Sequence, residues 1–347
     1  MSDLYERAPE RGPGVRLHLN ENTAGCSPRV LAAMRRVTAT QASTYPDYGA
    51  TTRACAAWLG VREDEVLLTN GLDEGIYTAA MAWLQRLPSG EQAEAVVVEP
   101  AYALFAASAG VVNARITHVG PPADFSFPLA ETLAAITPRT RGVFIASPAN
   151  PSGLLVSTDA VLAVAAGLPP EAIVFLDEAY VEFASGSFLP TLRSAPNVML
   201  GRTFAKAYGL AAVRAGYVVG APGLMTRMRG SVLPFSVNVF ALAAIREAVE
   251  DPGYVKWYAG QVRESRRLVY DACQRLGYDC WPSEANFVLV RVGPQAARLV
   301  DDLAARGVYV RDRSGMSGCA GCVRITTGVV EHTQACLAAM EDLCAKR

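Results

Sequence analysis

Histidine is scarce in this 347-residue chain. His18, His118 and His332 are the three present, and no two of them stand at metal-ligand spacing. The eight cysteines, at positions 26, 55, 273, 280, 319, 322, 336 and 344, are scattered. That is too sparse for a disulfide scaffold and fits reduced thiols. Cys319-Ala-Gly-Cys322 has the CxxC spacing but no second ligand pair, so it reads as a turn entering a strand, and no metal site is expected. An excess of one charge is also lacking: 32 basic residues face 33 acidic ones. Nothing is offered to nucleic acid or to an anionic membrane. No apolar run reaches the ~20 residues that span a bilayer. The run from Val161 to Leu168 is short and ends at Pro169-Pro170. No charged start followed by an apolar run marks a signal peptide, so a cytoplasmic protein is expected. No G-x-G-x-x-G follows a strand, which excludes a nicotinamide-binding α/β enzyme.

What is present is core-forming. Hydrophobic residues make up 51% and charged residues 19%, and the length suggests about two domains. Residues 1–14, charged and rich in Pro and Gly, read as a loose arm. Leu17 to Asn22 reads as extended. Ser27 as N-cap and Pro28 at the first helical position open a helix to about Val37. Thr44-Tyr-Pro-Asp-Tyr-Gly49 is turn chemistry, and a helix follows from about Thr52 to Leu59. From residue 64, short apolar runs alternate with helical segments: Val66–Thr69, then a helix from Asp73 to about Leu87, then Ala95–Glu99, Gly142–Ala146, Ala172–Asp177, Asn197–Gly201 and Ala215–Gly220. Continuous apolar strands separated by helices predict a mainly parallel α/β sheet. Sites in such sheets form at the carboxyl ends of strands. A boundary is expected between Pro234 and Tyr254, with a linking helix near Phe240–Glu250. A long helix, Val255 to Leu276, then precedes strands at Asn286–Val292, Val308–Arg311 and Cys322–Thr327. This predicts a large α/β domain over 41–245 and a small α+β domain over 15–40 plus 246–347.

One lysine, Lys206, lies in the apolar stretch Arg202-Thr-Phe-Ala-Lys-Ala-Tyr-Gly, with Thr203 before it and Arg214 after it. A buried amine can attack a carbonyl, and the flanking hydroxyl and guanidinium suit a phosphorylated aldehyde. A buried lysine stem beside a structural arginine explains the stretch equally well. Asp177-Glu178-Ala179-Tyr180 ends a strong strand, where an aspartate can favour the cationic form of a ring nitrogen. Asn70-Gly71-Leu72-Asp73-Glu74 starts a helix, which is either a plain capped start, the commoner case, or an anion site. Tyr102 follows another strand, and Ser147-Pro-Ala-Asn-Pro-Ser-Gly153 forms a loop presenting Asn150.

The ordered set resembles the fold-type I, pyridoxal-phosphate-dependent aminotransferases of classes I and II. It comprises Asn70–Glu74, Pro100–Tyr102, Pro148–Gly153, Asp177–Tyr180, Thr203–Lys206 and Arg214. The nearest branch is the histidinol-phosphate aminotransferase group, which Leu19–Asn22, Tyr45-Pro46-Asp47, Val310–Arg313 and Gly321–Gly328 also resemble. The resemblance implies a three-layer large domain and pyridoxal phosphate as cofactor. It implies Lys206 as the Schiff-base residue, Asp177 on the ring nitrogen, and Tyr180 and Asn150 on the phenolic oxygen. Tyr102 would stack on the ring. Leu72 and Asp73, by their backbone, would hold the phosphate with Thr203 and Arg214. Tyr45 would reach that phosphate from the partner of a homodimer. Arg324, Arg311 and Asn22 would face the substrate, an amino donor followed by a 2-oxo acid acceptor in ping-pong order. The same residues serve a decarboxylase, an elimination or a cyclisation enzyme, and a non-catalytic cofactor-binding protein is a further alternative. Leu72 replaces a usual small residue, which a backbone contact tolerates, and two further positions depart from the branch. Ala205 replaces a usual hydroxyl residue, and Ala24 replaces a larger side chain, often Tyr. The second departure leaves the amino donor open between histidinol phosphate and another biosynthetic amine.

Overall fold

In the computed structural model of the chain, residues 12–345 are described. The expected N-terminal arm therefore lies largely outside the described residues. Seven strands form the main sheet: β2 (Val66–Thr69), β3 (Glu94–Val98), β4 (Arg115–Val119), β5 (Thr140–Ala146), β6 (Ile173–Asp177), β7 (Val198–Thr203) and β8 (Gly216–Gly220), in the order β2-β8-β7-β6-β5-β3-β4. β8 is antiparallel to both neighbours, and every other pairing is parallel. All but the edge strand β4, which exposes Arg115 and His118, are buried on both faces, as their apolar runs require. Val96, Phe144, Val174, Phe175, Leu200 and Val218 form the centre of the first core. The helix Gly71–Trp83 lays Leu72, Ile76, Ala79, Ala80 and Trp83 against it, a 3.6-residue pattern.

A second sheet carries a core of its own. Its strands are β9 (Asp279–Cys280), β10 (Phe287–Arg291), β12 (Arg311–Asp312) and β13 (Cys322–Thr326), in the order β12-β13-β10-β9. A separate parallel pair joins β1 (Val15–Arg16) to β11 (Val308–Tyr309). Leu17, Val269, Val288, Leu299, Val323 and Ile325 belong to this second core. Val30, on the helix Pro28–Arg35, belongs to the first. The N-terminal segment thus contributes to both. The long helix Pro252–Leu276 ends at Gly277 in left-handed backbone, a glycine stop.

Three local expectations are corrected. The strand expected over Val308–Arg311 is two strands with different partners, because Val308 and Tyr309 pair with β1 while Arg311 and Asp312 pair with β13. The extended run over Leu17–Asn22 ends early. Leu17 still bonds to Tyr309 O, but Asn20 takes φ +56° and turns the chain. The helix expected to reach Leu87 stops at Trp83. The CxxC segment is a turn, with Cys322 N–H donating to Cys319 O at 2.9 Å as β13 begins.

Candidate active site

The register of the main sheet sets Ala146, Asp177 and Gly201 side by side at the carboxyl ends of β5, β6 and β7. Asp177 is 7% exposed, and its Oδ1 accepts from Ala179 N–H at 2.9 Å. Burial pushes its carboxyl up to about 7; the Asp73 and Glu178 charges push the same way, and Lys206 opposes them. Among the described residues no cation pairs with it. A buried carboxylate without a protein cation is matched to a cationic ring nitrogen. Lys206, half-buried, donates from Nζ to Leu19 O at 3.1 Å, and its Nζ lies 5.9 Å from the Tyr180 ring centroid.

An anion cradle stands beside them. The first N–H groups of the helix Gly71–Trp83 have no intrahelical partner. Gly71 has φ +75°, and a Cβ there would sit 2.6 Å from Arg214 Nη2. A Cβ on Gly216 would sit 2.6 Å from Leu72 N. Gly216 is required by the close approach of backbone, and Gly71 by its left-handed φ. Arg214, itself at φ +59°, donates to Asp73 Oδ2 at 2.8 Å and to Ala211 O at 2.9 Å. Tyr102 donates its hydroxyl proton to Asp73 Oδ1 at 3.1 Å. Thr203, opposite Gly216 in the ladder, accepts from Ala205 N–H at 3.1 Å. Thr69 stands on the other side of Gly216, and its buried hydroxyl has no partner among the described residues. Sequence reasoning did not single it out. The donor set suits a phosphate, and with Asp177 and Lys206 it fits the phosphorylated aldehyde that the resemblance implies.

The substrate side is cationic. Arg324, 2% exposed, donates from Nη1 to Asn150 Oδ1 at 2.6 Å and from Nη2 to His18 O at 2.7 Å. Asn150 thereby uses its oxygen on Arg324 and keeps its N–H groups to donate. Arg311 pairs with Arg324 across the β12–β13 ladder and is half-buried. Among the described residues the Arg311 guanidinium makes no hydrogen bond or ion pair.

Two expected residues have other contacts within the chain. Asn22 donates to Ala207 O, beside Lys206, and accepts from Ala24 N–H, both at 2.8 Å, so its amide ties the N-terminal segment to the Lys206 turn. Tyr45 is 81% exposed and stacks on Phe235 with ring centroids 4.5 Å apart. Its hydroxyl bonds to no described residue of its own chain.

Sequence reasoning also missed how residues 18–20 act as a rail. His18 O holds Arg324, Leu19 O holds Lys206, and the Asn20 amide donates to the Tyr180 hydroxyl at 2.9 Å. Two of those three contacts use main-chain carbonyls, which carry no residue signature.

The sequence model of the family described as Aminotransferase class I and II matches residues 13–339. A histidinol-phosphate aminotransferase of Halalkalibacterium halodurans is 32% identical over 338 residues, covering 96% of this chain and 89% of that protein. Histidinol-phosphate aminotransferase 2 of Ralstonia nicotianae is 36% identical over 345 residues, with the same coverage of 96% and 89%. The crystal structure of histidinol-phosphate aminotransferase from Sinorhizobium meliloti, in complex with pyridoxal-5′-phosphate, superposes with a TM-score of 0.88 at 28% identity, covering 97% of this chain and 92% of that one.

Proposed function

The chain belongs to the aminotransferase class I and II family, and from that premise we propose how its residues divide the work. The protein is a pyridoxal-phosphate-dependent aminotransferase. When bound, the cofactor supplies an electron sink for the charge left on the donor's α-carbon. Lys206 is the residue of covalent attachment and, once free, the base that moves the α-carbon proton. Asp177 keeps the ring nitrogen protonated. Asn150 and Tyr180 would donate to the phenolic oxygen, and Tyr102 would cover the ring. The amides of Leu72 and Asp73, with Thr203 and Arg214, hold the phosphate. Arg324 takes the donor's anionic group, and Arg311 takes the charge at its far end.

The amino donor is an amino acid or an amino-alcohol phosphate of the histidinol-phosphate type, and the acceptor is a 2-oxo acid. The names of the relatives and the neighbouring Arg311 and Arg324 support this choice. The working form is a cytoplasmic homodimer divided into domains over 41–245 and over 15–40 plus 246–347. Tyr45 enters the partner's phosphate site. The Tyr45–Phe235 stack stands in the open, with Leu233 and Phe240 also exposed, and suits an interface.

One observation carries the reading: the buried Asp177 makes no ion pair among the described residues, and the charge of Lys206 acts on it. The test adds amino compounds to the cofactor-loaded protein one at a time. Histidinol phosphate, aromatic amino acids, glutamate and basic amino acids come first. A substrate bleaches the visible band and leaves a keto product. Release of carbon dioxide without a keto product refutes transamination.

A further inference from the structure

Asn20 is buried to 1% exposure and holds φ +56°. Left-handed backbone is uncommon outside glycine, though Asn tolerates it, and such a residue beside a reactive centre points to a role there. Four hydrogen bonds fix it. Its N–H donates to Thr326 Oγ1 at 3.0 Å, and the Thr326 hydroxyl donates to Asn20 Oδ1 at 3.0 Å. Asn286 Nδ2 donates to Asn20 O at 3.1 Å. Asn20 Nδ2 donates to the Tyr180 hydroxyl at 2.9 Å.

Proton counting sets the direction of this chain. Thr326 is fully buried and has one hydroxyl proton. Its oxygen already accepts from Asn20 N–H, so the proton goes to Asn20 Oδ1. That orients the amide, with oxygen toward Thr326 and nitrogen toward Tyr180. An amide nitrogen only donates. The Tyr180 oxygen is therefore the acceptor of this bond, and its own proton is unspent. Among the described residues it donates to no protein acceptor.

We propose that Asn20 is a positioning residue that aims the Tyr180 hydroxyl proton at the phenolic oxygen of bound pyridoxal phosphate. The proposal rests on the reading that Tyr180 reaches that oxygen. A donor there draws charge from the oxygen and weakens its hold on the proton shared with the lysine link. Losing the aim strengthens that hold, so the pH at which the proton leaves must rise. Thr326 lies on β13, Asn286 immediately before β10, and Tyr180 in the turn after β6, so the aim also depends on how the two sheets are seated.

The experiment titrates the visible absorbance of the cofactor-loaded protein against pH. It compares the unaltered protein, Asn20→Gly, Tyr180→Phe and the double variant. Glycine keeps the left-handed backbone and removes the amide. The expected result for Asn20→Gly is an upward shift of the midpoint by about 0.5–1 pH unit, a roughly three- to tenfold change in proton affinity. Tyr180→Phe shifts it further, and adding Asn20→Gly to Tyr180→Phe changes nothing more. Asn20→Asp, which keeps the shape but accepts when ionised, shifts the midpoint upward as well and serves if the glycine variant folds poorly. Equal shifts with and without the Tyr180 hydroxyl, or no shift in either Asn20 variant, overturn the proposal. An unmoved midpoint in Tyr180→Phe alone refutes instead the reading of Tyr180 on which it rests.

Discussion

Asp177→Asn separates the demands of folding from those of the reaction. In the cofactor-free protein the carboxyl is raised from 3.8 to about 7, first by burial. The folded state therefore binds its proton more tightly than the unfolded state does. Stability is highest below pH ~4, falls as pH rises to about 7, and is flat above. At ~1.4 kcal/mol per pH unit, the ionised carboxylate costs up to ~4 kcal/mol at pH 8 and under ~2 kcal/mol at pH 5. Asparagine carries no charge and still accepts the Ala179 N–H. The cofactor-free Asp177→Asn protein should then be more stable than the unaltered one by roughly 2–4 kcal/mol at pH 8, with the gap closing toward pH 4. With cofactor bound the order reverses in function, because the ring nitrogen loses its counter-ion. The kcat/KM should fall at least ~100-fold, about 2.7 kcal/mol of barrier. Urea unfolding of the cofactor-free proteins at pH 4, 5, 7 and 8 measures the first effect, and steady-state kinetics the second. A variant less stable than the unaltered protein at pH 8, or a gap that ignores pH, refutes the account of Asp177.

Three further outcomes follow from the same geometry. Lys206→Ala should abolish the visible band of the cofactor-loaded protein and remove turnover, which a spectrum and one assay decide. Gly71→Ala sets a Cβ 2.6 Å from Arg214 Nη2 in left-handed backbone, so it should weaken pyridoxal phosphate at least ~10-fold and unphosphorylated pyridoxal far less. Paired binding titrations with the two compounds check this. Glu178→Ala leaves Arg202 buried without the carboxylate it holds at 2.8 Å, and should cost ~3–5 kcal/mol in the urea unfolding of the cofactor-free protein.

How much of this was legible in the sequence depends on the kind of signal. The run Ala172-Ile-Val-Phe-Leu-Asp177 announced a buried strand ending in a carboxylate, and β6 runs from Ile173 to that carboxylate. Ser27-Pro28 announced a helix start, and Ser27 Oγ accepts from Arg29 N–H at 3.2 Å. These are local signals, carried by side-chain type and by the two periodicities. The split of the run at Val308–Arg311 has no local signal, because its halves answer to partners far away in the chain. Asn20 makes the same point more sharply. Its sequence neighbours, Leu19 and Glu21, suit an extended segment. Its turn follows from Thr326, 306 residues away, and from Tyr180, 160 residues away. Direction is the deepest loss. A sequence shows that an amide and a phenol exist, but which of them donates depends on a third group, the Thr326 hydroxyl, whose one proton is already committed. The reactive residues were readable because chemistry restricts their type. The residues that aim them were not, because a main-chain carbonyl at His18 or Leu19 serves with any side chain attached.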